Sequence, residues 1–271
     1  MIVAVIPVRG RLPLIPHTIK QASKVADKVI CITSKAYEKE YCVGATEVST
    51  INTNVPLGKK WNAGFNMARQ YDPDHVLFVG SSDWVSENWI KVMLPYSEHY
   101  DIVGVHSFNL LHLDYEVIVR NKTGAIETKK KRRAHIMERA RSKAGAHSVE
   151  VEFKGMRLGL WGGYENRRRG EPIGIGRVLN RDFLKRIDYK PFDDSQKNGL
   201  DYNMINLTQS YKAVNSKFIK CLSISTNLWG NLHEFGDEIK DNGFIDKWFP
   251  DANKLTEWTE VKLINLENGM R

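Results

Sequence analysis

The chain of 271 residues has no long apolar run and few cysteines. No segment approaches the roughly 20 consecutive apolar residues that a membrane-spanning helix needs. Its content of 42% hydrophobic and 27% charged residues is that of a globular protein and excludes a disordered chain. The three cysteines, Cys31, Cys42 and Cys221, are odd in number and lack metal-binding spacing. A reduced compartment is therefore expected, and we predict a cytoplasmic protein.

The sequence also lacks internal repeats and long linkers. Its first residues, MIVAVIPVRGR, are apolar but too short for the hydrophobic region of a secretion signal, so we interpret them as a buried first strand. We predict a single domain over residues 1–271, with one half at 1–100 and a second half at 101–271. A basic insert at about 120–170 belongs to the second half.

Strands and helices alternate in the first half. Apolar runs at 2–8, 28–33 and 75–79 are typical of buried strands, and a weaker third strand is expected at 41–48. Between them, apolar residues at helical spacing predict helices over 14–26 and 57–68. Ser86 is a candidate N-cap of a further helix, and a short helix is expected at 134–144. This alternation predicts an α/β fold with a mostly parallel sheet.

Positive charge is concentrated in one segment. Ten Lys or Arg residues and two Glu residues lie between 120 and 143, so this segment carries the whole net charge of +8. Such a density favours a polyanionic partner, with a solvated loop as the alternative. The residues that we expect to bind a polyanion or the acceptor are Lys129, Lys130, Lys131, Arg132 and Arg133. Trp161, among glycines, is expected in a loop that stacks on a sugar or a base, with a core position as the alternative.

Polar residues follow three of the predicted strands. Arg9 and Gly10 follow the first strand, Ser34 follows the second, and Ser81-Ser82-Asp83 follow the strand at 75–79. Ligands of open parallel sheets lie outside the carboxyl ends of the strands, so these positions predict a binding site. A single Asp after a strand is more often a turn or cap residue, and the convergence of several positions favours a ligand.

Residues 56–84, PLGKKWNAGFNMARQYDPDHVLFVGSSDW, resemble the nucleotide-sugar-binding half of family 2 glycosyltransferases of the GT-A fold. The likeness covers residues 1–90 and, more loosely, 172–210. It implies a GT-A-type, Rossmann-like sheet with helices on both faces and a mixed acceptor-side second half. It also implies a nucleotide-sugar donor, with a UDP-sugar favoured. The donor-binding positions that follow from it are Pro7, Arg9, Ser34, Lys59, Asn62, Ser82 and Asp83.

The resemblance also implies roles for single carboxylates. Asp201, in GLDYNM, falls where the family tends to place its general base, and Asp193 and Asp194 are alternatives. The alternative is a structural role, in which the negative charge of Asp201 stabilises the N-terminus of a helix by its interaction with the helix dipole. Related enzymes hold Mn²⁺ or Mg²⁺, and Asp83 with His233 are the candidate ligands here. The acidic motif is reduced to one carboxylate, which leaves weak or absent metal binding open.

The sequence is compatible with two classes of acceptor and with two alternative functions. The basic segment favours nucleic acid, for instance hydroxymethylated viral DNA, over a polysaccharide or lipid-linked acceptor at an anionic membrane surface. A related nucleotidyltransferase is the less favoured alternative, because the loop after the first strand has only Gly10. A binding module on a decayed transferase fold is the third possibility.

Overall fold

The computed structural model describes residues 1–53, 56–121, 126–128, 146–161, 170–197, 199–226, 237–257 and 260–262. The chain forms two compact units. The first unit contains Met1–Phe108 and Gly162–Leu222, and the second contains Asn109–Trp161 and Ser223–Arg271. The chain therefore leaves the first unit near the predicted boundary at residue 100 and later returns to it.

The strands are β1 Ile2–Val8, β2 Lys28–Thr33, β3 Glu47–Thr50, β4 His75–Phe78, β5 Asp83–Val85, β6 Ile102–Val105, β7 Phe108–Asn121, β8 Ile126–Thr128, β9 Ala146–Trp161, β10 Val178–Asn180, β11 Tyr211–Val214, β12 Cys221–Thr226, β13 Asp237–Ile239 and β14 Glu260–Lys262. The α-helices are α1 Ile15–Ala22, α2 Leu57–Arg69, α3 Trp89–Ser97, α4 Arg181–Arg186, α5 Leu200–Asn206 and α6 Phe244–Trp248. Short 3-10 helices span Leu12–Leu14, Ala36–Tyr41 and Pro250–Glu257.

The sheet of the first unit is mostly parallel. Its strand order is β11-β6-β10-β4-β1-β2-β3, and β10 alone runs antiparallel to its neighbours. The sequence prediction of an α/β fold with a mostly parallel sheet is confirmed. The register aligns Val8 with Thr33 and Val5 with Phe78, so β1, β2 and β4 end at the same edge.

Burial on both faces explains the continuous apolar runs of β1 and β2. Val3 and Val5 face a core that includes Trp61 and Phe65 of α2, whereas Ala4, which alternates with them, is buried on the opposite face. Because both faces of β1 and β2 are covered, neither strand alternates between apolar and polar residues.

Helix α2 lies very close to the sheet. A Cβ atom added to Gly64 would be 2.3 Å from Cγ1 of Val5 and 3.1 Å from Cγ1 of Ile32. Glycine at this position therefore allows the helix to approach the strands. Trp61 of the same helix stacks on Phe78 with ring centroids 3.6 Å apart, and it is a core residue.

The second unit contains a sheet built around two long strands, β7 and β9, whose pairings with β8, β13 and β14 are antiparallel. Its strand order is β13-β9-β7-β12, with β14 also pairing β9 and β8 pairing β7. Pairing with β13 keeps β9 in a strand as far as Trp161. The prediction that Trp161 lies in a loop is therefore wrong, because Gly155 and Gly159 fall inside the strand.

Two local predictions need correction. Residues 41–48 do not form the expected strand, because a 3-10 helix ends at Tyr41 and Gly44 has a positive φ of 88°, so the strand begins at Glu47. Ser86 is not the N-cap of α3, because the helix begins at Trp89 after the N-cap Asn88. The Ser86 hydroxyl instead donates to the side-chain oxygen of Asn88 at 2.9 Å. The helix expected at 134–144 lies outside the described residues.

Candidate functional site

The carboxyl ends of β1, β2 and β4 bring the predicted polar residues together. After β1 come Arg9, Gly10 and Arg11, after β2 comes Ser34, and the turn after β4 leads to Asp83. Parallel strands place these positions at one edge because their ends are aligned. The convergence expected from the sequence is therefore present in the first unit.

A buried group that we name the strand-end clamp (Lys60, Ser34 and Glu38) joins β1 to β2. The Lys60 ammonium donates to the backbone carbonyl of Val8 and, at 2.6 Å, to the hydroxyl of Ser34. The Lys60 side chain is fully buried. Burial lowers the pKa of Lys60 to about 8, while the charge of Glu38 opposes this shift.

Glu38 completes the clamp from the following 3-10 helix. Its carboxylate accepts hydrogen bonds from the backbone N–H groups of Ser34 at 2.6 Å, Lys35 at 3.1 Å and Gly10 at 3.3 Å. Only 2% of Glu38 is exposed. A buried carboxylate with three backbone donors and a nearby ammonium fixes the loops that follow both strands.

A second group, which we name the cation–carboxylate edge (Arg11, Ser82 and Asp83), lies beside the end of β4. The Arg11 guanidinium donates to the Ser82 hydroxyl, with Nη1 and Oγ 2.9 Å apart. Burial lowers the pKa of Arg11, and the charge of Asp83 acts in the opposite direction. An arginine remains protonated in proteins at any ordinary pH, so this edge always carries a cation beside a carboxylate.

The Asp83 carboxylate is held by the turn that precedes it. Its Oδ2 accepts a hydrogen bond from the backbone N–H of Gly80 at 3.2 Å. A Cβ atom added to Gly80 would lie 2.2 Å from the same oxygen. Glycine at position 80 therefore provides the space that the carboxylate occupies.

Asp201 lies at the same edge of the sheet, in the first turn of α5. The segment before β10 hydrogen-bonds to the ends of β4 and β6, through Gly176 N to the Phe78 carbonyl at 3.0 Å and through Ile173 N to the Val105 carbonyl at 2.8 Å. A Cβ atom added to Gly174, in this segment, would lie 2.3 Å from Oδ1 of Asp201.

Arg177 supports the segment under Asp201. Its fully buried guanidinium donates to the carbonyls of Pro172 and Ile173, at 2.8 Å and 2.9 Å, and to the Asp201 carbonyl at 3.3 Å. Nη1 also lies 3.7 Å from Oδ1 of Asp201, whose side chain is 38% exposed. Arg177 therefore fixes both the glycine-containing segment and the helix start, and the carboxylate remains accessible.

The alternative bases, Asp193 and Asp194, are engaged in a turn against α2. Two hydrogen bonds from Ser195 lower the pKa of Asp193. The amide of Asn62, at 2.8 Å, and Lys190 lower the pKa of Asp194. A lowered pKa weakens a carboxylate as a proton acceptor, which argues against Asp193 and Asp194 as the base.

The remaining predicted donor residues occupy different environments. Pro7 is buried within β1, whereas Arg9 and Lys59 are exposed. The Asn62 amide donates to the Phe192 carbonyl at 2.7 Å and accepts from Phe192 N at 3.2 Å, so it binds the turn at 192–194. A direct contact of Asn62 with a nucleotide stays a prediction.

Several predicted residues lie elsewhere. Trp161 ends β9 in the second unit. His233 and the basic run Lys129, Lys130, Lys131, Arg132 and Arg133 lie outside the described residues. Their expected roles in metal and polyanion binding remain predictions from the sequence.

The Asp83 carboxylate fits a divalent cation chemically, because Mg²⁺ and Mn²⁺ prefer hard oxygen ligands. The hydrogen bond from Gly80 N orients the carboxylate, as supporting contacts of metal ligands commonly do. Within the part of the chain that the structure describes, no group of three or more His, Cys, Asp or Glu side chains is placed to hold a metal. Asp83 would therefore share such a cation with oxygens of a bound ligand.

The sequence analysis missed Arg11, Gly80 and Glu38. Arg11 is three residues beyond the end of the strand run, and only the turn of the backbone brings it back to Ser82.

No family model matches the sequence, and no curated protein matches it. Among solved structures, the chain is similar to a mannosyltransferase from Pyrobaculum calidifontis in complex with GDP-Man and Mn²⁺, with 10% identity and a TM-score of 0.45. That match covers 82% of this chain and 56% of the mannosyltransferase, so the chain spans little more than half of its length.

Two further solved structures are similar to the chain. An inositol-1-phosphate CTP transferase from T. maritima has 11% identity and a TM-score of 0.42, over 83% of this chain and 89% of that one. A mannose-1-phosphate geranyltransferase from Thermus thermophilus has 9% identity and a TM-score of 0.34, over 83% and 74%. All three TM-scores are below 0.5 and carry no argument about the function of this chain.

Among the described residues, no helix has both the length and the apolar character needed to cross a bilayer.

Proposed function

We propose that this chain is a glycosyltransferase that moves a sugar from a nucleotide-diphosphate donor to a hydroxyl group. One observation carries the proposal: the carboxylates of Asp83 and Asp201 lie beside the carboxyl end of β4. Each carboxylate occupies space that a glycine leaves open, Gly80 for Asp83 and Gly174 for Asp201. Two carboxylates at one sheet edge match the two tasks of this reaction, donor binding and proton removal. The resemblance of residues 56–84 to family 2 glycosyltransferases supports the same assignment.

The donor side of the site is the edge formed by β1, β2 and β4. The strand-end clamp fixes the loops after β1 and β2, and the cation–carboxylate edge follows β4. A nucleotide in an open α/β sheet binds outside these strand ends. Arg9 is proposed to contact the nucleotide, and Ser82 and Asp83 its diphosphate end, whereas Ser34, predicted as a donor-binding residue, is buried in the clamp and positions the loop that the nucleotide would meet.

A divalent cation held by Asp83 would supply electrostatic stabilisation of the negative charge on the diphosphate. The role of the protein here is to orient the Asp83 carboxylate through Gly80 N and to keep a cationic side chain, Arg11, beside it. The proposed cation is Mn²⁺ or Mg²⁺, and the favoured donor is a UDP-sugar.

Asp201 is proposed as the general base. Its carboxylate accepts the proton of the acceptor hydroxyl while the hydroxyl oxygen forms a bond to the anomeric carbon. The bond between the anomeric carbon and the diphosphate oxygen breaks, and the electron pair leaves with the diphosphate. Such positioned bases contribute on the order of 10²–10⁴-fold in rate. A single displacement inverts the anomeric centre, which is the outcome that the resemblance implies.

The test of this function is thermal stabilisation by a panel of nucleoside diphosphates, with Mn²⁺ and with EDTA. At about 100 times its Kd, a ligand adds roughly 2.7 kcal/mol to the free energy of unfolding. We expect one nucleotide to stabilise the wild type, and Asp83→Ala to remove the part that depends on metal. Asp201→Asn should keep full nucleotide stabilisation. If no nucleotide stabilises the protein, the donor-site assignment is wrong.

The acceptor is proposed to be hydroxymethylated viral DNA, on the basis of the basic segment at 120–143. Lys and Arg residues that neutralise phosphates give a binding constant that falls steeply with salt. Neutralising Lys129–Arg133 should abolish retention on DNA and reduce the salt dependence. Co-sedimentation with anionic vesicles, with no DNA retention, would favour a lipid-linked or polysaccharide acceptor.

Nucleotidyl transfer is a second candidate, and one observation favours it. The loop after β1 contains a single glycine, but both Gly10 and Arg11 have positive φ values and direct the Arg11 cation to Ser82. A cationic loop after the first strand also suits a nucleoside triphosphate. Release of pyrophosphate from a triphosphate and a sugar phosphate would identify this reaction, and release of a nucleoside diphosphate from a nucleotide sugar would identify glycosyl transfer.

A further inference from the structure

We infer that Arg11, rather than Arg9, is the side chain that holds the diphosphate of the nucleotide. The inference rests on the proposed donor site and deepens it by naming a binding residue that sequence reasoning did not select.

The backbone of Arg11 is in the left-handed region, with φ 51° and ψ 31°. This conformation is uncommon for a residue with a side chain, and it costs free energy that the surrounding structure must offset. Here the next residues supply the support, because Leu14 N donates to the Arg11 carbonyl at 2.9 Å and Leu12 and Leu14 are buried. A glycine would meet the same backbone requirement without strain, so the arginine at this position indicates a use for its side chain.

The left-handed turn directs the guanidinium back over the sheet edge. Nη1 of Arg11 donates to Ser82 Oγ at 2.9 Å, and Asp83 is close enough for its charge to act on Arg11. The backbone N–H of Gly80 also donates to the Asp83 carboxylate. The guanidinium is thus positioned before any ligand binds, which reduces the ordering cost of binding.

Arg9 lacks these supports. It is exposed and lies at the end of β1, before the turn. Lys60, the other cation of this region, is fully buried and donates to Val8 and Ser34. Arginine also suits phosphate better than lysine, because its planar fork donates two parallel hydrogen bonds. Arg11 is therefore the cation with both the position and the geometry for a diphosphate.

Calorimetric titration in EDTA with a nucleoside diphosphate and with the matching nucleoside tests the inference. Arg11→Asn is the main variant because asparagine tolerates the left-handed conformation and carries no charge. We expect Arg11→Asn to weaken diphosphate binding by about 10- to 100-fold and to leave nucleoside binding unchanged. Arg11→Lys, which keeps the charge but not the fork, should lie between this variant and the wild type.

Lys39→Ala, at an exposed position of the 3-10 helix Ala36–Tyr41, is the control for loss of a positive charge, and Arg9→Ala is the competing assignment. Equal affinity of wild type and Arg11→Asn for the diphosphate, or a larger loss in Arg9→Ala, would overturn the inference while the donor site stands. If the wild type binds no nucleoside diphosphate, the proposed function itself fails. Thermal melting of each variant separates loss of binding from loss of fold.

Discussion

Two neighbouring cationic groups at one sheet edge differ in what they do for the molecule. In the strand-end clamp, the Lys60 ammonium is fully buried and donates to a hydroxyl and a carbonyl of the protein. In the cation–carboxylate edge, Arg11 lies in a strained turn beside Asp83, next to the end of β4. Both cations donate to a buried serine hydroxyl, but Lys60 is fully buried and stabilises the fold, whereas Arg11 is partly exposed and is proposed to serve a ligand as well.

The same contrast applies to carboxylates. Glu38 is 2% exposed and accepts three backbone hydrogen bonds, so it belongs to the scaffold. Asp201 is 38% exposed on its side chain and is seated over Gly174. If this distinction holds, variants of the strand-end clamp change stability, and variants of the cation–carboxylate edge and of Asp201 change binding or rate.

The largest expected effect is on catalysis. Asp201→Asn should lower kcat by about 10²- to 10⁴-fold, because the amide cannot accept the proton of the acceptor hydroxyl. Nucleotide affinity and the melting temperature should stay near those of the wild type. Single-turnover measurement of sugar transfer gives the rate. Asp194→Asn is the matched comparison, and a larger rate loss in that variant would move the base to the turn at 192–194.

The largest effect on stability is expected in the clamp. Lys60→Met leaves the Glu38 carboxylate buried without its nearby cation, which costs about 3–5 kcal/mol of the free energy of unfolding. Urea denaturation measures this change. The double variant Lys60→Met/Glu38→Gln should recover part of the loss, because the unpaired charge is removed. A destabilisation below about 1 kcal/mol in Lys60→Met would show that the clamp is not a stabilising unit.

The two serines that accept from these cations provide the most direct comparison. Ser34→Ala should destabilise the protein by about 1 kcal/mol, because the buried Lys60 loses a hydrogen bond. Ser82→Ala should destabilise the protein by a similar amount, because the Ser82 hydroxyl is also buried, and should in addition weaken nucleotide binding a few-fold, because Arg11 loses its positioning contact. Equal effects of both variants on nucleotide binding would contradict the distinction between the two groups.

Alkaline pH offers a smaller test of the clamp. The pKa of Lys60 is lowered to about 8 in the folded protein from its ordinary value of 10.5, so between these values the unfolded chain binds more protons. Stability attributable to Lys60 is therefore lowest below pH 8 and rises between pH 8 and 10.5. At pH 9 the rise is about 1 kcal/mol relative to pH 7. The difference between wild type and Lys60→Met in urea denaturation, followed over this range, should show this slope, and a flat difference would exclude it.

Much of the first unit could be predicted from the sequence. The apolar runs of β1, β2 and β4, and the helical spacing of Trp61 and Phe65, predicted a mostly parallel α/β sheet because burial on both faces leaves continuous hydrophobic strands. The polar residues after these strands predicted the edge where a site lies. In the second unit, the alternation at 113–120 and 148–153 predicts only part of β7 and β9, because both strands extend beyond these segments.

What the sequence by itself determined is the fold class and the edge of the sheet at which polar residues converge, because both follow from local periodicity and from the residues at strand ends. Which side chains serve that edge was decided by the tertiary structure. Neighbouring lysines, Lys59 and Lys60, differ only in the helix face they occupy, and packing buries one and exposes the other. Arg11 reaches Ser82 across 71 positions of sequence through a left-handed turn. Such long-range contacts depend on the backbone path of the whole unit, which no short window of residues contains.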